Sequence, residues 1–148
     1  ALYLSRGDEP DTVDLADTLI MMGKKVLAPV LTDGHGRSLH EPAWAWYDSK
    51  NVRTGLWQIP EPIAPILPAS AIDQVEVVLC SALFVDRSGY RVGVGGGWYD
   101  RVLVHRADDV PVWAVVNDDE ILDEVPHDPW DEPVTAALTP SGLHMLGQ

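Results

Sequence analysis

Positive charge is what this sequence has least of. Ten Lys and Arg residues face 23 Asp and Glu, a formal net charge of -13. A field of that sign repels the phosphate backbone of nucleic acid and argues against a nucleic-acid partner. It repels free nucleotides as well, so any nucleotide site has to build a local basic or amide-rich pocket. Cysteine is equally scarce. The single Cys80 lies in the apolar run Val75 to Cys80; it can form no internal disulfide and reads as a small core residue in a reducing compartment. Long hydrophobic runs are missing too. No stretch approaches the roughly 18 to 20 apolar residues that cross a bilayer, and no basic-then-apolar leader is visible, so a cytoplasmic protein without membrane partners is expected. The histidines (His35, His40, His105, His127 and His144) show no metal-ligand spacing.

What is present suits one globular domain: 148 residues, 46% of them hydrophobic, can bury a core. Leu2 to Leu4 reads as a strand. Asp11 or Thr12 then caps a helix with apolar positions Val13, Leu15, Ala16, Leu19 and Ile20, stopped by Gly23. Val26 to Leu31 reads as a second strand closed by Asp33-Gly34, giving a βαβ unit whose first loop, Arg6 to Pro10, lies at the ligand-binding edge of a parallel sheet. Residues 32 to 74 hold five of the twelve prolines and read as a long functional excursion, with Ala43 to Tyr47 as a half-buried or edge strand. Strands at Val75–Leu79, Val112–Val116 and Val134–Leu138, and a helix over Tyr99–Arg106, complete an α/β pattern around a mostly parallel sheet.

The most informative stretch runs from Phe84 to Arg101. Four glycines occupy five positions, Gly93 to Gly97, a composition costly in backbone entropy that marks either a flexible turn or close approach to a ligand. The cluster runs into the expected helix, so its amides are suited to a phosphate, with Arg91 and Arg101 supplying charge. Neither the Walker pattern nor the dinucleotide fingerprint fits.

From Phe84 to Asp100 the segment resembles the signature of the 5-formyltetrahydrofolate cyclo-ligase family: Phe-x-Asp, a turn, then Arg-Leu-Gly-x-Gly-x-Gly-Tyr-Tyr-Asp, with Val92 and Trp98 as conservative replacements. Three further segments agree in order: Leu4-Ser5-x-x-x-Glu9, Trp57-x-Ile59-Pro60-x-Pro62 and Asp131-Glu132-Pro133-Val134. The resemblance covers residues 2 to 140. It implies a Rossmann-like three-layer α/β sandwich and ATP-dependent cyclisation of 5-formyltetrahydrofolate to 5,10-methenyltetrahydrofolate, with release of ADP and phosphate. It also implies a reduced folate as the small-molecule partner and ATP and Mg2+ as cofactors; the oligomeric state is left open, with a monomer favoured. Members begin with a helical segment bearing Lys and Arg; the chain opens directly on Ala1-Leu2-Tyr3, so residues 1–148 are expected to be a single domain lacking that segment.

The resemblance assigns roles residue by residue. Arg91, Val92, Gly93, Val94, Gly95, Gly96, Gly97, Trp98 and Tyr99 would wrap the phosphates, with Gly95 to Trp98 also facing the formyl group. Leu4, Glu9 and Trp57 would contact the folate, and Asp100 and Asp131 would hold magnesium. No nucleophile is implied, because phosphoryl transfer asks mainly for positioning and charge neutralisation. Val94 and Gly96 stand where members commonly carry Arg and sometimes Lys. That departure motivates a second reading, a non-catalytic or re-purposed relative that binds nucleotide or folate. A third is a plain binding module in which the glycines form a turn and Trp57 is a core anchor. Asp118-Asp119-Glu120 reads as solvated surface.

Overall fold

The capped helix forms where the sequence places it. In the computed structural model, which describes residues 1–94 and 96–147, α1 spans Thr12–Met21 and Asp11 accepts the Asp14 amide at 3.0 Å, satisfying one of the donors a helix start leaves unpaired. Before it, Leu2 bridges Leu79 in parallel and donates its amide to the Leu27 carbonyl at 2.9 Å, so the first apolar run is strand-like.

The strand that follows α1 lies beside that first run, through the Leu2–Leu27 hydrogen bond, and also has an antiparallel neighbour. β1 (Leu27–Thr32) pairs antiparallel with β2 (Ser38–Trp46). The reason lies in the turn between them: Asp33 accepts the amides of His35 at 2.8 Å and Arg37 at 3.2 Å, while Gly34 and Gly36 take φ of 86° and 82°. A connection this short closes an antiparallel hairpin, whereas the crossover of the expected βαβ unit is the preceding connection, through α1. The proline-rich excursion is also more ordered than expected. β3 (Val52–Thr54) and β4 (Pro60–Pro62) form a second hairpin. β5 (Leu67–Pro68) then adds to β2, which becomes the middle strand of its sheet rather than an edge, with Pro42 to Ala45 buried in succession.

Downstream run β6 (Val78–Ser81), β7 (Phe84–Asp86), β8 (Arg91–Val92), α2 (Trp98–Leu103), β9 (Val112–Val115), β10 (Ile121–Leu122), β11 (Ala136–Thr139) and β12 (Gly142–Met145). A four-stranded sheet has the order β12-β11-β9-β6, with β6, β9 and β11 parallel and β12 antiparallel. A smaller sheet has the order β10-β7-β8. The chain is thus a mixed α/β fold of several sheets with few helices. Among the described residues, parallel pairing joins β6, β9 and β11, the β7–β10 pair and Leu2 with Leu79. One buried cluster collects residues from Leu2 to Leu146. No described helix is long and apolar enough to cross a membrane.

Trp44 ties the core to the glycine-rich segment. Fully buried on β2, it donates from Nε1 to the Ala69 carbonyl at 3.3 Å and meets Trp98 of α2 edge-on, ring centroids 5.0 Å apart. Such aromatic pairs add to the area they bury, so the start of α2 is held against the core.

Candidate functional site

The glycine-rich segment is built on an aspartate. Asp86, only 2% exposed, accepts the amides of Ser88 at 2.9 Å, Tyr90 at 3.0 Å and Val125 at 3.0 Å. The turn it organises places Gly89 at φ 96°, with its carbonyl taking the Val134 amide at 2.8 Å. Beyond β8 the backbone passes through two left-handed glycines, Gly96 at φ 86° and Gly97 at φ 60°, the second of which precedes Trp98 as the N-cap of α2. Gly95 lies outside the described residues. At six residues α2 is shorter than the expected Tyr99–Arg106 helix. Its macrodipole is correspondingly small, and the loop amides themselves are the available donors.

Two cations serve this loop. Arg101, on α2, donates from Nη1 to the Gly96 carbonyl. The Arg91 side chain, 7% exposed, donates from Nη2 to Asp100 Oδ1 at 3.1 Å and lies 5.5 Å from the Tyr99 ring centroid. Its Nε and the Tyr99 hydroxyl are buried without a hydrogen-bond partner among the described residues. Nothing lies within 4 Å of a Cβ built on Gly96, and Val94 is 80% exposed. An unpartnered guanidinium nitrogen and phenol beneath an open, amide-rich loop suit a phosphate, since buried donors are otherwise satisfied. Asp100 Oδ1 also accepts the Glu132 amide at 3.3 Å, and Arg106 approaches Glu132 at 3.7 Å. These contacts bring the Asp131 segment to Asp100. Asp131 itself accepts the Asp128 amide through Oδ2 at 2.7 Å. Asp100 Oδ2 and Asp131 Oδ1 accept no hydrogen bond among the described residues. The described residues form no cluster of three or more His, Cys, Asp or Glu ligands.

A second group of residues assembles beside the first. Thr12 locks the 5–10 loop to the start of α1: it takes the Ser5 amide at 2.9 Å, gives its own amide to Ser5 Oγ at 3.0 Å and donates its hydroxyl to the Tyr3 carbonyl at 2.5 Å. Within the loop, Glu9 Oε1 accepts the Arg6 amide at 2.9 Å, and Arg6 Nη1 donates to the Trp57 carbonyl. Glu9 and Trp57 are thereby linked through Arg6. Trp57 is 64% exposed at the tip of the β3–β4 hairpin, an open indole rather than a core anchor. It and Gln58 hold φ of 53° and 62°, a conformation costing a residue other than glycine about 1–3 kcal/mol. Leu4, 2% exposed, packs in the core at the base of the loop.

The titratable groups converge on the same place. Burial raises the Tyr99 hydroxyl well above its ordinary range, helped by Cys80, Tyr3 and Glu9 and opposed by Arg91. Tyr3 is raised first by burial, then by Glu9, Cys80 and Glu120. The Cys80 thiol is pushed up to about 11, again chiefly by burial. Each folded-state pKa lies above its unfolded value. The associated stability is therefore complete below the unfolded pKa and lost as pH rises through the folded one. Urea denaturation from pH 8 to 11 should show stability falling from about pH 9, on the order of 2 kcal/mol from Cys80 alone. The tyrosines add to the fall only above about pH 10, so a profile in Cys80→Ala that stays flat to about pH 9.5 while that of wild type falls would identify the thiol as the source of the first loss.

Of the residues expected from sequence, Arg91, Gly96, Gly97, Trp98, Tyr99 and Asp100 form one continuous feature, the 131–132 segment joins it, and Glu9 and Trp57 meet beside it. Sequence reasoning missed Arg6, Thr12 and the structural task of Asp86. It also took Glu120 for solvated surface, whereas Glu120 is partly buried, accepts the Asn117 amide at 2.6 Å and is near enough to influence Tyr3.

Comparison with known proteins gives the family. The model of the 5-formyltetrahydrofolate cyclo-ligase family matches residues 1–140. The chain belongs to this family. The 5-formyltetrahydrofolate cyclo-ligase of Mycolicibacterium smegmatis is 42% identical over 138 residues, covering 93% of this chain and 71% of that protein. The Escherichia coli K12 cyclo-ligase is 32% identical over 145 residues, 95% and 77% of the two chains. Among solved structures, Aquifex aeolicus 5,10-methenyltetrahydrofolate synthetase superposes with TM-score 0.76 at 22% identity, covering 99% of this chain and 71% of that one.

Proposed function

We propose that this chain closes 5-formyltetrahydrofolate to 5,10-methenyltetrahydrofolate, cleaving ATP to ADP and phosphate, and that residues 1–148 act in this as one Rossmann-like α/β domain. The observation that carries the reading is the part-buried Arg91–Asp100 pair, whose residues flank the left-handed Gly96-Gly97 turn in the chain, joined to the segment that bears Asp131. ATP supplies the phosphoryl group that converts the formyl oxygen from a poor leaving group into a good one. N10 then bonds to the formyl carbon, the carbon–oxygen bond to phosphate breaks and the N10 proton is released.

The chain's own residues bind and orient. Arg91 to Tyr99 hold the phosphates, with Arg91 and Arg101 offsetting the repulsion of the acidic domain. Asp100 and Asp131 would hold magnesium through the carboxylate oxygens that accept no hydrogen bond. Glu9 accepts from the pterin, Trp57 offers a flat face to it, and Leu4 closes the base of the site. The cations missing at Val94 and Gly96 favour a binding-only relative, but Arg101 reaches the Gly96 carbonyl and returns charge to that part of the loop.

The test is ATP-dependent appearance of the methenyl chromophore. Asp100→Asn should raise the magnesium concentration needed for half-maximal rate by about tenfold, and should weaken magnesium-dependent retention of ATP in equilibrium dialysis. An unchanged magnesium requirement would remove Asp100 from the metal site. Binding of both ligands with no product would favour the binding-only relative.

A further inference from the structure

The most heavily hydrogen-bonded buried charge in the chain lies outside the residues assigned above. Glu61, on β4, is 2% exposed. Its Oε2 accepts the Leu31 amide at 2.8 Å; its Oε1 accepts the Thr32 hydroxyl at 2.5 Å, Arg53 Nη2 at 2.6 Å and Arg53 Nε at 3.0 Å. The Leu31 amide is available because the β1–β2 register breaks between Val30 and Thr32, and the carboxylate supplies the acceptor that a regular ladder would have given. Arg53 is the cross-strand partner of Glu61 in the β3–β4 hairpin, and its Nη2 also lies 3.4 Å from the Thr32 carbonyl.

A buried ion pair is a poor source of net stability, because desolvation offsets its attraction, and its better-attested use is to fix one arrangement among several. The arrangement fixed here is specific. Both partners lie within five residues of the hairpin tip, where Gly55 donates to the Ile59 carbonyl at 2.8 Å and Ile59 to the Leu56 carbonyl at 3.0 Å. That tip holds Trp57 and Gln58 in the left-handed region. An exposed two-residue excursion into disfavoured backbone relaxes unless its stem is overdetermined. The Glu61–Arg53 pair, anchored to β1, is what overdetermines it.

We infer that Glu61 and Arg53 are positioning residues for the folate site, holding the hairpin so that Trp57 presents its indole to the substrate and its carbonyl to Arg6. This rests on the reading of Trp57 as a folate-contacting residue. Glu61 acts only through Trp57, so its loss should appear in folate binding and leave ATP binding nearly untouched. In Glu61→Gln an amide NH2, itself a donor, replaces one of the two accepting oxygens and leaves its donors without an acceptor, which frees the stem without changing its size.

The experiment compares wild type, Glu61→Gln, Trp57→Ala and the double variant, measuring KM for 5-formyltetrahydrofolate and for ATP together with kcat. Glu61→Gln should raise the folate KM about tenfold, with ATP KM and kcat within about twofold, and in the Trp57→Ala background it should add nothing. Equal increases in both backgrounds, or a matching rise in ATP KM, would overturn the inference while leaving Trp57 in place. A Trp57→Ala protein with normal folate KM would instead refute the reading of Trp57, and the inference with it. Should Glu61→Gln fail to fold, Gly55→Ala serves. Its Cβ would lie 2.9 Å from Glu61 Oε2 and 3.2 Å from the Ile59 carbonyl, pressing on the clamp with the charge intact. The same split between folate and ATP is expected there, and no split would overturn the proposal.

Discussion

Gly89→Ala is expected to lower the melting temperature by about 10 °C, equivalent to roughly 3–4 kcal/mol for a chain of this size. A Cβ built there would sit 2.3 Å from the Val134 carbonyl oxygen, a backbone atom that cannot swing aside, and φ is 96°. The variant has to part the Gly89–Val134 pairing and carries the 131–134 segment away from Asp100. Gly96→Ala is the natural comparison. Its φ of 86° is similarly disfavoured, but nothing lies within 4 Å of its Cβ, so about 1 kcal/mol is expected. Gly96→Val should weaken ATP binding more than Gly96→Ala, because a branched side chain fills space that phosphate requires. Equal melting temperatures for Gly89→Ala and Gly96→Ala would show that the Val134 contact does not constrain the turn.

Arg91→Met should cost the largest factor in activity, about 10² to 10³ in kcat/KM, the usual consequence of removing one preorganised charge from a phosphoryl-transfer site. The side chain is 7% exposed and pairs with Asp100. Its loss therefore removes a phosphate ligand and also unbalances the carboxylate proposed to hold magnesium. Arg91→Lys should recover part of the rate, since it keeps the charge but not the planar fork. Activity of Arg91→Met within threefold of wild type, in a protein of normal stability, would exclude Arg91 from the phosphate site.

The parts of this account that were legible in the sequence share one property: their signal is local. Asp11 announces the start of α1 by side-chain chemistry alone, and the glycines of 93–97 announce special backbone by composition. What was illegible depends on partners distant in sequence. An apolar run such as Val26 to Leu31 looks the same beside a parallel or an antiparallel neighbour, and only the short Asp33-Gly34 turn that follows it points to the β1–β2 hairpin. The β3–β4 hairpin is built from three-residue strands with prolines at both ends of β4, too short to show a period. No sequence rule places Trp57 and Gln58 at positive φ, because that conformation is imposed by the stem. Glu61 reads as an exposed acid between two prolines until Arg53, Leu31 and Thr32 surround it. The family signature pointed to the glycine-rich loop, and the fold explained why Asp86 belongs to it: its carboxylate holds three amides that shape the turn.

The central claim is that ring closure and ATP cleavage are one coupled event at the site formed by Arg91, Asp100 and the glycine loop. Its most direct test is to follow ADP and 5,10-methenyltetrahydrofolate together in a single reaction of the wild-type chain with ATP, magnesium and 5-formyltetrahydrofolate. The two products should appear in equal amounts at every time point, and neither should form when either substrate is omitted. Steady ADP release without methenyl product, methenyl product without ADP, or neither from a folded protein that binds both substrates would contradict the account.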